Sequence, residues 1–332
     1  ALRMKTKQRA LLVLLAVAVL LGLALWAVTR SNARAEEAAS AAAEGTIPLS
    51  AFSTDELEQI EYTYNGETYT LQYADGTWLL AQDPAYHVDS SACDTMRTAL
   101  MDLNAKRRLT AQEGEDYGLA DPLLTVTVTA AGQKTTLTFG AENPVTGDLY
   151  VQKAGDDAIY TVDGNKAACF ELDKAGLFGS FCPTGLTASD ILQLKYTLAN
   201  GETVQLTAVS EPAESTATDN GEADSDSTEY QTVWRLADEP QTELDQSRVQ
   251  AMLSALCTYA SGQITDADPA DYDFGAPVFT AQVTTAEGTV QLAYACGTDG
   301  YYLQTEGDSS VYAVDQSTVQ ALLQTADDLK AE

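Results

Sequence analysis

The chain contains one long stretch twice, and this internal repeat restricts its fold more than any other feature. Residues 150–163 read YVQKAGDDAIYTVD and residues 302–315 read YLQTEGDSSVYAVD, with seven of the fourteen positions identical. Farther upstream, residues 77–103 align with residues 233–259 without a gap. Because the matched features follow in the same order, the sequence predicts a tandem duplication of a unit of about 130 residues, which is longer than a solenoid repeat.

Each unit has the pattern of an antiparallel sheet followed by helices. Residues 60–80, IEYTYNGETYTLQYADGTWLL, alternate apolar and polar side chains around Asn-Gly and Asp-Gly, which favour tight hairpin turns. An apolar stripe behind an aspartate predicts a helix over 89–106, and two further hairpins and a closing helix follow. The predicted fold class is therefore α+β, with two tandem homologous units, 51–183 and 184–332, each an antiparallel sheet with helices on one face.

The N-terminal region has the pattern of a membrane anchor. Residues 11–28, LLVLLAVAVLLGLALWAV, carry no charge, and a helix of this length spans about 27 Å. Basic residues crowd residues 1–10, so we expect a cytoplasmic tail there, a single transmembrane helix in the lipid bilayer at 11–28, and the bulk of the chain outside the cytoplasm. Residues 29–50 are expected to form an Ala-rich linker. The alternative is a signal peptide that is cleaved after Ala35.

Acidic residues dominate the rest of the chain. The net charge is −31, and a surface of this sign repels phosphate backbones, so we expect no nucleic-acid partner. The second unit is interrupted by residues 211–229, EPAESTATDNGEADSDSTE, which lack an apolar period and are expected to form a disordered acidic loop. The acids of this insertion do not have the spacing of a calcium-binding loop.

Residue types that carry chemistry are few and are not repeated between the units. The single histidine, His87, corresponds to Glu243 in the second unit, and one imidazole without partners does not build a zinc site. Residues 266–275, DADPADYDFG, alternate four aspartates, but the first unit places its acids differently, so the segment is interpreted as a rigid turn. Glycine-rich phosphate-binding motifs and nucleophile elbows are absent. We therefore predict no catalytic, cofactor-binding or metal-binding residues, no cofactor, and no enzymatic activity.

The five cysteines form no C-x-x-C motif. Cys93 and Cys257 correspond to apolar residues of the other unit and are interpreted as small core side chains. Cys169 and Cys182 flank the end of the first unit, and a disulfide between them stays open as an alternative outside the cytoplasm. The odd number of cysteines argues against a disulfide scaffold.

The tyrosines of the repeated phrase are interpreted as structural. Tyr150, Tyr160, Tyr302 and Tyr312 fall on predicted strands, where aromatic rings pack against neighbours and a hydroxyl reaches water. A tyrosine-rich binding face is the alternative.

Several of these stretches together resemble one bacterial family. A basic N-terminus and an apolar segment precede the strands of residues 60–80, a capped helix, EDYGLADPLLTVTVTAAGQKTTLTFG at 115–140, and a hairpin that ends in Val-Asp. This combination resembles the family called domain of unknown function 4340, over residues 51–332 and most clearly at YGLADP. The resemblance implies a membrane-associated protein, assigns no catalytic residue, and implies for some members a place beside ABC-type transporter components. The chain departs from the family pattern at the acidic insertion and at YDFGAP, residues 272–277.

The expected function is that of a membrane-anchored, extracytoplasmic, non-enzymatic binding or adaptor protein, because the duplicated scaffold carries no duplicated polar constellation. Its expected partners are the lipid bilayer, through residues 11–28, and an envelope or ABC-type transporter protein. One alternative is a cell-envelope enzyme with a glycosidase-like carboxylate pair, and another is a loose binder of cations or envelope polymers. A deep cleft with paired acids favours the enzyme, whereas an apolar groove or an exposed sheet edge favours a protein partner.

Overall fold

The computed structural model describes residues 47–112, 114–212 and 230–331. The cytoplasmic tail predicted at residues 1–10 and the transmembrane helix predicted at 11–28 lie outside the described residues. Within the described ranges, no helix combines the length and the apolar character that crossing a bilayer requires.

The chain divides into two compact units. The first consists of the chain up to Ala81 together with Ser90–Asp173, and the second consists of Gln82–Asp89 together with Lys174–Glu332. The first unit contains strands β1 (Ile47–Ala51), β2 (Leu57–Tyr64), β3 (Glu67–Ala74), β4 (Thr77–Leu80), β5 (Asp102–Ala105), β6 (Arg107–Leu109), β7 (Leu124–Ala130), β8 (Gln133–Glu142), β9 (Asp148–Lys153) and β10 (Ile159–Asp163), the α-helices α1 (Ser90–Met101) and α2 (Asn165–Ala168), and a 3-10 turn (Thr54–Glu56).

Eight strands of the first unit form one antiparallel sheet in the order β4-β3-β2-β7-β8-β9-β10-β6, and β1 and β5 form a separate pair. The predicted hairpins are confirmed, since β2, β3 and β4 pair in sequence and Asn65 and Asp75 adopt the positive φ angles that their turns need. Alternate residues of each strand point into the core, where helix α1 contributes buried side chains such as Met96 and Leu100.

The second unit repeats the eight-stranded sheet of the first unit strand by strand, and its described residues contain no counterpart of the β1–β5 pair. Its eight-stranded antiparallel sheet has the order β13-β12-β11-β15-β16-β17-β18-β14. The unit contains β11 (Ile191–Leu198), β12 (Thr203–Pro212), β13 (Tyr230–Leu236), β14 (Gly262–Ile264), β15 (Phe279–Thr285), β16 (Thr289–Cys296), β17 (Tyr301–Thr305) and β18 (Val311–Val314), the α-helices α3 (Gln246–Leu256) and α4 (Gln316–Leu322), and 3-10 turns at Ala188–Asp190 and Pro269–Tyr272. Helix α3 is capped by Asp245, whose carboxylate accepts the backbone N–H groups of Ser247 and Arg248. The tandem repeat predicted from the sequence is therefore a repeat of the fold.

The predicted α+β class is wrong, because strands dominate both units. The helix predicted over 89–106 ends at Met101, and the residues after it form β5 and β6. Leu103 and Ala105 are both buried at a spacing of two, which suits a strand, and β5 pairs with β1. The closing helix of the first unit is only the four residues of α2. The fold is better described as two mostly β units, each built on an eight-stranded antiparallel sheet.

The boundaries of the predicted linker and of the predicted acidic loop differ in the structure. The last residues of the predicted linker at 29–50 belong to β1, which is held in place by the buried Leu49 and by a hydrogen bond from Lys153 Nζ to the Leu49 carbonyl (2.9 Å). The first two residues of the predicted loop belong to β12, where Glu211 pairs with Arg235 at 3.0 Å. The rest of that loop, residues 213–229, lies outside the described residues.

Candidate functional site

The outward face of the second sheet carries an unusual row of polar side chains. Side chains that lie opposite one another on β12, β11, β15 and β16 form this row, here called the amide row: Gln205, Lys195, Gln282 and Gln291. All four side chains are exposed. Neighbouring strands lie about 4.8 Å apart, so the row spans roughly 14 Å across the sheet. It offers amide donors and acceptors with one cation among them.

A second row, here called the hydroxyl row, runs beside the amide row. It consists of Thr203, Thr197, Thr280, Ala293 and Gln304. The hydroxyls of Thr197 and Thr203 lie 3.0 Å apart and share a hydrogen bond. Most of both rows lines one groove of about 560 Å³ on this face. The groove is therefore a polar one, unlike the apolar groove that would favour a protein partner.

The charges of the groove are unevenly distributed. No carboxylate of the described residues pairs with the Lys195 ammonium group. Two acidic residues, Glu306 and Asp308, also line the groove. The Asp308 carboxylate already accepts hydrogen bonds from the Tyr312 hydroxyl (2.5 Å) and the Ser310 N–H (2.8 Å). Since glycoside cleavage needs two carboxyl groups with separate roles, this engaged aspartate does not suit the glycosidase-like alternative.

The equivalent outward row of the first unit has different chemistry. Its members are Thr70, Glu61, Thr127 and Thr136. The hydroxyls of Thr127 and Thr136 lie 2.9 Å apart and satisfy each other. At the central position the charge is inverted, since Glu61 stands where the second unit has Lys195. The two units therefore share a scaffold and present different surfaces.

The repeated phrase contains the same tyrosine–aspartate hydrogen bond in both units. The Tyr160 hydroxyl donates to the Asp156 carboxylate at 2.6 Å, as Tyr312 does to Asp308 in the second unit. This hydroxyl, together with the Ala158 N–H, holds the pKa of Asp156 below its usual range. Burial, and then the hydrogen bond to Asp308, raises the pKa of Tyr312 to about 12. The expectation that these two hydroxyls reach water is wrong, because each is tied to the aspartate at the turn.

The other repeated tyrosines form a second duplicated contact. Tyr117 packs edge to face on Tyr150, with ring centroids 5.0 Å apart, and Tyr272 packs likewise on Tyr302 at 4.8 Å. Tyr302 lies two residues before Gln304 on β17, so the pair sits on the same face as the groove. The YGLADP stretch and its YDFGAP counterpart thus place one tyrosine each against the outward face of their sheets.

Carboxylates gather in one cavity of the first unit. This cavity, of about 540 Å³, is lined in part by Glu142, Asp163 and Glu171. The Asp163 carboxylate accepts the Asn165 N–H and lies 3.6 Å from Lys106 Nζ. The Asn165 N–H, and then the Lys106 charge, hold the pKa of Asp163 below its usual range. Asp163 is therefore held ionised by its neighbours, as suits a structural acid.

The residues singled out from the sequence lie apart from the groove. The His87 ring stacks on Phe181 with centroids 4.2 Å apart, as a surface aromatic does. In the aspartate-rich segment 266–275, Asp268 caps the 3-10 turn at Pro269–Tyr272. All five cysteines are free thiols in the structure, and Cys169 and Cys182 belong to different units. In the described ranges, no group of three or more His, Cys, Asp or Glu side chains is placed to hold a metal.

The amide row was not predicted from the sequence. Its members come from four strands, so they stand together only once the register of the sheet is known. An alignment of the two repeats at alternate strand positions would have exposed the change from Glu61 to Lys195. That single inversion of charge is the signal that points to the groove.

The chain matches a family model twice. The model described as "Domain of unknown function (DUF4340)" matches residues 78–233 and residues 234–332. Each match begins on a strand at the sheet edge, with Trp78 on β4 and Trp234 on β13. The matches confirm the predicted family and its repeat. No curated protein and no solved structure matches the chain.

Proposed function

Since the two matches cover most of the chain, the chain belongs to the DUF4340 family. We propose that this protein is a non-catalytic binding protein whose second unit holds an acidic, hydroxyl-rich polymer in the groove. The amide row carries this proposal. A polymer of this class is an anionic glycan, in which many hydroxyls accompany a carboxylate or phosphate group.

The chemistry of the groove supports a hydroxyl-rich ligand. A glutamine amide both donates and accepts hydrogen bonds, as a sugar hydroxyl does, and Gln282, Gln291 and Gln304 line the groove together. Gln282 and Gln291 are exposed and Gln304 is partly exposed, so binding replaces bonds to water and each contact contributes only about 0.5–1.5 kcal/mol. Several such contacts along an extended ligand add up to useful affinity.

The charge of Lys195 supports an acidic group on the ligand. Its ammonium group stands in the amide row without a carboxylate partner among the described residues. The net charge of −31 repels anions at long range, but salt screens this repulsion beyond about 8 Å at physiological ionic strength. We therefore expect binding that is weak at low salt and governed by short-range contacts near physiological salt.

The proposal includes the location predicted from the sequence. Residues 11–28 and the basic residues before them support a membrane anchor with both units outside the cytoplasm. A polymer of the cell envelope would be within reach of the groove in that place. An envelope or transporter protein is the other partner that this location allows.

Calorimetric titration with two soluble probes tests the function. The probes are a hexamer of galacturonic acid, which is acidic, and a hexamer of N-acetylglucosamine, which is neutral. Gln282→Ala is expected to weaken the binding of both probes about fivefold, because it removes roughly 1 kcal/mol of hydrogen bonding. Lys195→Met is expected to weaken only the acidic probe, by about fivefold, because an exposed ion pair contributes up to about 1 kcal/mol.

The first unit supplies a matched control. Thr127 occupies the position equivalent to Gln282, so Thr127→Ala should leave both affinities unchanged. If neither probe binds, or if Thr127→Ala and Gln282→Ala weaken binding equally, the groove is not the binding surface. If crosslinking in membranes instead recovers one protein partner through Lys195, an adaptor function replaces polymer binding.

A further inference from the structure

Two cysteines that are distant in the sequence lie on adjacent segments of the second unit. Cys182 follows the stretch that enters this unit, and Cys257 caps the end of helix α3. The Ala260 N–H donates to the Phe181 carbonyl at 2.8 Å, and Ser180 Oγ donates to the Ala260 carbonyl at 2.8 Å. These hydrogen bonds hold the two cysteine-bearing segments side by side.

A single hydroxyl bridges the surroundings of the two thiols. Thr184 Oγ1 donates to the carbonyl of Leu256 at 2.9 Å, and Leu256 directly precedes Cys257. The same oxygen lies 3.1 Å from Cys182 Sγ. In this second contact either atom can donate, and the Cys182 thiol also lies 4.0 Å from the Leu186 carbonyl oxygen. The Cys182 sulfur is thus two hydrogen bonds away from the peptide group of Cys257.

Both thiols also influence the titration of one buried tyrosine. Burial, and then the charges that Cys182 and Cys257 would carry, raise the pKa of Tyr294 well above its usual range. Burial, followed by the neighbouring Cys182, raises the pKa of Cys257 to about 11. Both cysteines are half-buried, so a small oxidant can still reach them.

We propose that Cys182 and Cys257 form a disulfide under oxidising conditions, which fastens the entering segment to the end of α3. The S–S bond forms as two S–H bonds break, and the two protons pass through solvent to the two sulfur atoms released from the exchange partner. The two electrons reduce the disulfide of an exchange partner, such as oxidised glutathione, to two thiols. A disulfide needs α-carbons about 4.4–6.8 Å apart, a spacing that hydrogen-bonded segments can supply.

This pairing replaces the disulfide between Cys169 and Cys182 that the sequence left open. Cys169 belongs to the first unit, where its thiol donates to the Lys166 carbonyl. Burial raises its pKa to about 11, as it does for Cys257. Cys169 is therefore a matched control: a half-buried thiol of similar acidity that donates to a backbone carbonyl.

The test is oxidation of the full chain by a glutathione redox buffer at mildly alkaline pH. Remaining thiols are then alkylated in denaturant, and disulfide-linked peptides are identified by mass spectrometry after digestion. We expect a linked pair that contains Cys182 and Cys257, two fewer alkylated thiols per chain, and a higher thermal midpoint of the second unit. The linkage should persist in Cys169→Ser and disappear in Cys257→Ser.

Specific outcomes overturn the proposal. A folded wild-type chain that keeps all five thiols reduced, or carries only glutathione adducts at Cys182 and Cys257, refutes it. A linkage from Cys182 to Cys169 or Cys296 refutes it equally. If Cys257→Ser fails to fold, the wild-type peptide map and the conservative Cys257→Ala variant still decide the question.

Discussion

Replacing Gly140 with alanine is expected to loosen the first unit. A Cβ atom on Gly140 would lie 2.1 Å from the Tyr117 carbonyl oxygen and 3.0 Å from the Gly118 carbonyl carbon. This close approach is fixed by a hydrogen bond of 2.8 Å from the Ala141 N–H to the Tyr117 carbonyl. The register of the sheets places Ala295 at the equivalent position of the second unit, so the change swaps one repeat's residue for the other's.

The size of the effect follows from these distances. Non-bonded heavy atoms are comfortable at about 3.5–4.0 Å, so the loop backbone must withdraw by more than about 1 Å. Overpacking of this kind costs about 1–3 kcal/mol, and loss of the hydrogen bond to Ala141 adds about 1 kcal/mol. We expect the first unit to lose about 2–4 kcal/mol of its free energy of unfolding, which lowers its thermal midpoint by roughly 10 °C.

Tryptophan fluorescence separates the two units in this experiment. Trp78 is buried in the first unit and Trp234 in the second, so a background with Trp26→Phe and Trp234→Phe leaves Trp78 as the single tryptophan, which reports the unfolding of the first unit in urea. The control is Gly275→Ala, because a Cβ at Gly275 meets nothing within 4 Å. The reasoning is refuted if the urea midpoint of the first unit is unchanged in Gly140→Ala, or if Gly275→Ala lowers that midpoint equally. Either result would show that the loop at Tyr117 and Gly118 does not pack closely against Gly140.

Three further results are expected from the second unit. Asp245→Ala removes the cap that accepts Ser247 N–H and Arg248 N–H, and should lower the free energy of unfolding by about 1 kcal/mol in urea titrations. Tyr312→Phe removes the hydroxyl that donates to Asp308 and should cost about 1–2 kcal/mol by the same measurement. The pKa of Tyr312 is raised from a usual value of about 10 to about 12, so its contribution to stability is complete below pH 10 and is lost as pH rises toward 12. The urea midpoint should fall across that window, and it should fall less in Tyr312→Phe; equal falls would contradict the assignment.

The hairpins were predictable because their turn chemistry is local. Asn65-Gly66 and Asp75-Gly76 adopt positive φ whatever lies elsewhere in the chain, so alternation around them fixed three strands. The end of helix α1, in contrast, depends on a strand pairing that is distant in the sequence. Leu103 continues the apolar stripe of the helix equally well, and only the pairing of β5 with β1 decides for a strand. This tertiary choice shortened the predicted helix and added two short strands to a unit in which strands already dominate.

The candidate groove depended on information that one sequence does not contain. Alternation shows that Gln282 and Lys195 point outward from their strands, but not that they stand opposite each other. Catalytic residue types in the sequence do not indicate the position of the groove. The groove is made of amides and hydroxyls, which are common on any polar sheet face and become distinctive only as a row.

The two rows on the outward face differ in how closely the two units agree. In the hydroxyl row, four of the five positions are identical between the units, and only Thr138 is replaced, by Ala293. In the amide row, all four positions differ. Both rows lie on the same polar face, where single substitutions change stability by only about 0.5 kcal/mol or less. Neutral substitutions on such a face would be expected in both rows. The differences are concentrated in the amide row, where Lys195 replaces Glu61, and this pattern supports the proposal that the groove of the second unit holds a ligand.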